Sequence, residues 1–232
     1  SNAEQVLDRA VSLCEAHGDV LHLGSSINSR ALLRASQGDT ARMIADFERV
    51  IALGRELGQT FLEFCGHSNL GEYLYWMDRV DDAAPHVARA LSINERWAVG
   101  GFRPETILLE ARMALYRGDI EHARALVDRV RREGGAPLTV PAEDVLCSMV
   151  ELATSDADDA AWDVLETRSA RYSVGQERIE VIEARGMAAA RRDNKAAARG
   201  HFERAAALAD QIPNVLRGRI FRRLAELTID EP

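Results

Sequence analysis

Five short interruptions recur at near-constant spacing along a chain that otherwise reads as helix, and a repeat of that length admits few folds. They are Gln37-Gly38-Asp39, Met77-Asp78-Arg79, Arg117-Gly118-Asp119, Thr154-Ser155-Asp156 and Arg192-Asp193-Asn194. With Gly38, Asp78, Gly118, Ser155 and Asp193 taken as equivalent, the spacings are 40, 40, 37 and 38 residues. A unit this long holds two helices and cannot bury its apolar face alone, so it must stack on its neighbours. Period-2 strand patterns are nearly absent, and the fold class is all-α.

After each interruption an apolar stripe recurs at plus 5, plus 9 and plus 12: Met43, Phe47, Val50; Ala83, Val87, Ala90; Ala123, Val127, Val130; Ala160, Val164, Thr167; Ala198, Phe202, Ala205. Those offsets share one face of a helix. Seven residues before each interruption stands a small residue: Ala31, Gly71, Ala111, Ser148 and Gly186. The pattern predicts two helices crossing closely, with the small residue opposed to the plus-5 alanine. Pro104, Pro141 and Pro213 fall where helices should begin, since the missing N–H costs nothing there. Gly58, Gly100-Gly101 and Gly134-Gly135 should end the helices before them. The expected helices are 3–17, 20–36, 40–57, 60–76, 80–97, 104–117, 120–133, 142–154, 157–173, 176–192, 195–211 and 214–228. They form five hairpins, 20–57, 60–97, 104–133, 142–173 and 176–211, with a flanking helix at each end.

The chain resembles the tetratricopeptide repeat (TPR) family, whose pattern is Leu-Gly, a large residue three on, then Ala-x-x-x-Phe in the second helix. Its best copy is Leu70-Gly71, Leu74, Ala83, Val87, Ala90, and Met43-x-x-x-Phe47 and Ala198-x-x-x-Phe202 match the second half. His67 replaces the family's early Trp, and the terminal Pro is missing because the second helix runs on. Repeats near 40 residues are similar to the long ones of large bacterial signalling proteins. The resemblance implies a right-handed α-solenoid of antiparallel hairpins, one domain over residues 4–232. Ser1-Asn2-Ala3 reads as a tag-cleavage scar, and the phase of Ala3, Leu7 and Ala10 as a second helix, so a fragment of a larger protein is expected.

Composition narrows the function classes. A formal charge of -8 argues against a nucleic-acid surface, which needs a dense Lys/Arg footprint. Arg217, Arg219, Arg222 and Arg223 are the local exception, and a solvated face on a capping helix accounts for them. No apolar run of eighteen residues occurs, so no membrane span is expected. Three scattered cysteines, Cys14, Cys65 and Cys147, suit a reducing, cytoplasmic setting.

No phosphate loop, nucleophile elbow or HExxH is present, and no catalytic, cofactor or metal residue is assigned. Asp81-Asp82 and Asp158-Asp159 stand at helix starts, where the helix dipole favours carboxylates. Cys14, His17 and His22 lack a fourth ligand for zinc. His67, His86, His122 and His201 read as isolated surface residues without a nucleophile at useful spacing. The expectation is a non-enzyme.

The resemblance further implies a concave groove lined by the first helices. Projected onto it are Ser25, Asn28, Ser29 and Ser36; Cys65, Ser68, Asn69, Glu72, Tyr75 and Trp76; Glu105, Leu108, Leu109, Arg112, Leu115 and Tyr116; Val145, Leu146, Met149 and Leu152; and Glu180, Glu183 and Arg191. Leu108, Leu109, Val145 and Leu146 equally fit burial between neighbouring helices. The candidate partner-binding residues are Asn28, Asn69, Glu72, Tyr75, Trp76, Arg112, Tyr116 and Met149, with Trp76 and Tyr116 accessible. Aromatic and Arg side chains dominate interface energetics, and an Asn can bond an extended peptide backbone both ways. The expected partner is a protein or peptide segment, in cis or in trans. An oligomerisation module, a homodimer in the simplest case, is the alternative; a helical small-molecule or metal-dependent enzyme is a more distant one.

Overall fold

The computed structural model describes residues 2–96, 103–134, 137–212 and 215–229, and among these there is helix and no strand. The helices are α1 Asn2–His17, α2 Val20–Ser36, α3 Thr40–Glu56, α4 Thr60–Trp76, α5 Val80–Arg96, α6 Pro104–Arg117, α7 Ile120–Gly134, α8 Pro141–Ala153, α9 Asp159–Tyr172, α10 Gly175–Arg191, α11 Lys195–Gln211 and α12 Arg217–Ile229. Consecutive helices pack in pairs, α2 on α3, α6 on α7, α8 on α9 and α10 on α11, while Phe64 of α4 packs with Ala90 and Ile93 of α5. The arrangement is consistent with a helical-repeat solenoid. Pro104 and Pro141 open α6 and α8 as expected. The expected stops at Gly100-Gly101 and Gly135, the helix end at Trp97, and the start at Pro213 and Asn214 lie outside the described residues.

One local device makes most of the turns. Gly18, Gly38, Gly58 and Asp78 follow at intervals of 20 residues, all with positive φ, and Gly118 and Asp193 repeat the conformation. In each, the next residue's amide bonds the carbonyl five back: Asp19 to Cys14, Asp39 to Arg34, Gln59 to Gly54, Arg79 to Leu74, Asp119 to Ala114 and Asn194 to Ala189, at 2.8 to 3.0 Å. This left-handed closure satisfies carbonyls that the helix end would leave bare. Asp19, Asp39, Asp119 and Asn194 then cap the following helix by accepting the amides of His22, Arg42, His122 and Ala197.

The stripes are buried in four copies: Met43, Phe47 and Val50, Ala83, Val87 and Ala90, Ala123, Val127 and Val130, and Ala198, Phe202 and Ala205 are each at most 2% exposed. The fourth copy is a correction. Ala160, Val164 and Thr167 are exposed, and Trp162, Leu165 and Ser169 are buried instead. The turn there is longer, with Asp158 capping α9 by accepting the Ala161 amide, so the helix presents a face two residues later. The two glycines among the small residues also meet a different partner from the one expected. A Cβ on Gly71 would come within 2.9 Å of Val87, and one on Gly186 within 2.6 Å of the Phe202 ring. In these two copies the plus-9 side chain, not the plus-5 alanine, closes on the gap.

By its contacts the chain groups into two compact units. The first holds residues up to Tyr75 and from Arg79 to Gly100; the second holds Trp76–Asp78 and the chain from Gly101 onward. In the first, Val11, Leu23, Ile27 and Val50 form a core with Cys14, Leu53 and Leu62 against it. In the second, Leu224 and Leu227 of α12 pack on Ala189, Ala198 and Phe202 of α10 and α11.

Candidate partner-binding site

In the second unit α6, α10 and α12 bring their facing residues together around Trp76 and Asp78. Arg112 of α6 is 1% exposed and forks onto Glu180 of α10, Nε to Oε1 at 3.0 Å and Nη2 to Oε2 at 2.5 Å. The Trp76 indole N–H donates to the same carboxylate at 3.0 Å, and the Arg112 guanidinium lies 5.5 Å from the Trp76 ring centroid. A bidentate pair in a dry setting is the strong form of an Arg–carboxylate bond. One helical turn further on α10, Glu183, 1% exposed, pairs with Arg219 and accepts Arg223 Nε at 3.4 Å.

Tyr116, one turn after Arg112 on α6, is the half-buried centre of a cationic cage. The guanidinium carbons of Arg219, Arg222 and Arg223 lie 5.5, 5.8 and 4.7 Å from its ring centroid, within cation–π range. Its hydroxyl donates to Asp78, which Arg222 also grips, Nη2 to Oδ1 at 2.8 Å. Beside the ring opens a cleft of about 300 Å³, lined by Leu115, Tyr116, Met187, Phe202, Arg223, Leu227 and neighbours from α6, α10, α11 and α12.

The expected site residues therefore part company. Trp76 is 4% exposed, Tyr75 3%, Arg112 1% and Met149 1%, which corrects the expectation that Trp76 is open to a partner. Its indole is spent on Glu180. Leu108, Leu109, Val145 and Leu146 are buried as helix-packing residues. Tyr116 alone among the expected aromatics keeps a partly exposed edge. In the first unit Asn69 Nδ2 donates to Asn28 Oδ1 at 2.9 Å, joining α4 to α2, and both stay partly exposed, as does Glu72. Ser25, Ser29 and Ser36 of α2 are exposed.

Three further expectations change. Arg219, Arg222 and Arg223 are not a solvated face: Arg219 is 1% exposed and all three hold the Tyr116 cluster, leaving Arg217 as the exposed one. Glu180 and Glu183, expected as groove charges, are buried ion pairs. His67 and His86 are not isolated, with their Nδ1 atoms 3.0 Å apart. The three cysteines are free thiols, and burial pushes Cys147 up to about 12. Among the described residues no group of three His, Cys, Asp or Glu side chains is placed to hold a metal ion, and no helix is long and apolar enough to cross a membrane.

The sequence carried one overlooked signal for the cluster: Asp78, a non-glycine in a left-handed turn, followed far along the chain by arginines at 219, 222 and 223. Nothing local links them. No family model matches the chain, no curated protein matches it and no solved structure matches it.

Proposed function

We propose that this chain is a protein- or peptide-binding scaffold, a right-handed stack of antiparallel hairpins of TPR type, serving as a regulatory or sensory module of a larger bacterial signalling protein. Its partner is a protein segment, in cis or in trans, and it is not an enzyme. The paired helices at a recurring period of 37 to 40 residues support the scaffold. The observation that carries the binding reading is the cleft beside Tyr116, where an aromatic edge, apolar walls from Leu115, Met187, Phe202 and Leu227, and Arg223 converge. Aromatic and Arg side chains around an apolar pocket are the composition of interface hot spots.

Peptides selected from a displayed random library against the whole chain test this. Tyr116→Phe leaves the ring and should keep affinity, whereas Leu227→Ala, which opens the cleft wall, should weaken selected peptides by about 2 kcal/mol. Peptides indifferent to Leu227→Ala would move the site elsewhere, and a library yielding no binder would remove the reading.

Self-association is favoured by a separate observation: Val6 and Leu13, two turns apart on α1, are 61% and 49% exposed, with Leu21 of α2 at 60%. A constant mass by light scattering across protein concentrations would exclude it.

A further inference from the structure

Helices α9, α10 and α11 of the second unit border another cleft, of about 360 Å³, which takes in no residue of α6 or α12. Ile182, Ala207 and Leu208 supply part of its apolar lining, and Arg178, Arg204, Glu166 and Gln211 its polar lining. Its size is that of a small-ligand pocket. The charges around it do not balance. Glu166 is already held by two guanidinia, Arg185 Nη1 at 2.8 Å from Oε1 and Arg204 on Oε2. Glu177, beside Arg178 in sequence, turns its carboxylate to the Val174 amide at 3.1 Å.

Arg178 is half-buried, yet among the described residues its guanidinium makes no ion pair and no hydrogen bond, while its backbone amide donates to Val174 O at 3.1 Å. A guanidinium left without a counter-charge in the fold has its planar fork of donors available to a bound anion. It also sits in the first turn of α10, where the helix dipole adds positive potential. The whole chain carries -8, so this spot opposes the general field.

We propose that this cleft binds an apolar carboxylate, the carboxylate forked by Arg178 and the hydrocarbon laid on Ile182, Ala207 and Leu208. Planar bidentate pairing is what a guanidinium offers a carboxylate, and the apolar lining favours a chain of several carbons over acetate. Such a group comes either as a free short-chain acid or as the C-terminus of a peptide ending in an apolar residue. The site is separate from the Tyr116 cleft and does not depend on the partner-binding reading.

The test is an NMR titration of the intact chain with sodium hexanoate, hexanamide, sodium acetate and acetyl-Ala-Ala-Leu bearing a free C-terminus. Hexanoate or the tripeptide should give saturable shifts at Ile182 and Leu208, with hexanamide and acetate at least about tenfold weaker. Tighter binding of the tripeptide assigns the site to peptide termini, and tighter binding of hexanoate assigns it to free acids. Arg178→Gln should abolish the shifts without lowering Tm, because the side chain has no partner in the fold to lose. Ala207→Leu, at an exposed position on the cleft's lining, should abolish them by filling the cleft. Equal binding of hexanoate and hexanamide, shifts that survive either substitution, or no saturation by about 10 mM of either carboxylate would overturn the proposal.

Discussion

His67 donates a hydrogen bond from Nδ1 to Nδ1 of His86, 3.0 Å away, and both rings are thereby held neutral. The assignment follows from a third group. Arg55 Nη2 lies 3.0 Å from His67 Nε2, and a guanidinium can only donate, so Nε2 accepts and the proton sits on Nδ1. His86 Nδ1 must then accept, with its own proton on Nε2. A second proton on either ring would oppose one N–H to another. The surroundings agree: Arg55 and Arg89 both bond Glu63, and although burial alone would raise that carboxyl, their hydrogen bonds hold it below the usual range. Burial first, then the facing His86, push His67 down to about 4, and burial lowers His86 as well.

The pair should make stability depend on pH. Between about pH 6.5 and 4 an unfolded His67 binds a proton that the folded chain refuses, so the pair's contribution is complete above about 6.5 and is lost as pH falls toward 4. The ceiling for His67 is about 3 kcal/mol. Urea unfolding at pH 7 and pH 4.5 checks it: His67→Gln should lose less stability over that interval than the unaltered chain. Equal losses would contradict the neutral pairing.

Arg112 and Glu180 form a buried pair whose halves depend on each other. Arg112→Met strands the Glu180 carboxylate with the Trp76 N–H as its remaining named donor, and should cost about 3 to 5 kcal/mol. The double variant Arg112→Met with Glu180→Leu removes both charges and should be the more stable of the two. Chemical denaturation of both variants decides, and a double variant no better than the single one would argue against charge burial as the cause.

Asp193 closes the α10 to α11 turn at φ 58°, a conformation in which a Cβ is disfavoured. Asp193→Gly should raise stability by several tenths to about 1 kcal/mol, while Gly118→Ala, at φ 81°, should lower it by about 1 kcal/mol. Thermal melts of the two variants should move in opposite directions.

Gly186 of α10 faces the Phe202 ring of α11 with no room for a Cβ. Gly186→Ala puts a methyl about 2.6 Å from the Phe202 ring and should destabilise by about 1 to 3 kcal/mol despite the better helix propensity of Ala. Adding Phe202→Leu should recover part of the loss. A stabilised Gly186→Ala would show that the crossing can spread without cost.

The helices, their caps and the period were determined by the sequence itself, because each rests on neighbours within one or two turns: Gly38 and Gly118 ending helices, Asp39 and Asn194 starting them, and Met43, Phe47 and Val50 sharing a face. The fourth copy escaped because a turn two residues longer shifts the buried face from Ala160 and Thr167 to Trp162 and Ser169 without altering the composition around it. The candidate site was legible only as a set of positions. Trp76, Arg112 and Tyr116 do lie on facing surfaces, but whether such a surface stays open depends on what packs against it. Only the tertiary structure decided that Glu180 takes Trp76 and Arg112, and that Arg222 and Arg223 of α12 close around Tyr116. Those partners stand from 68 to 107 residues apart, and a charge at such separation leaves no periodicity for a sequence to display.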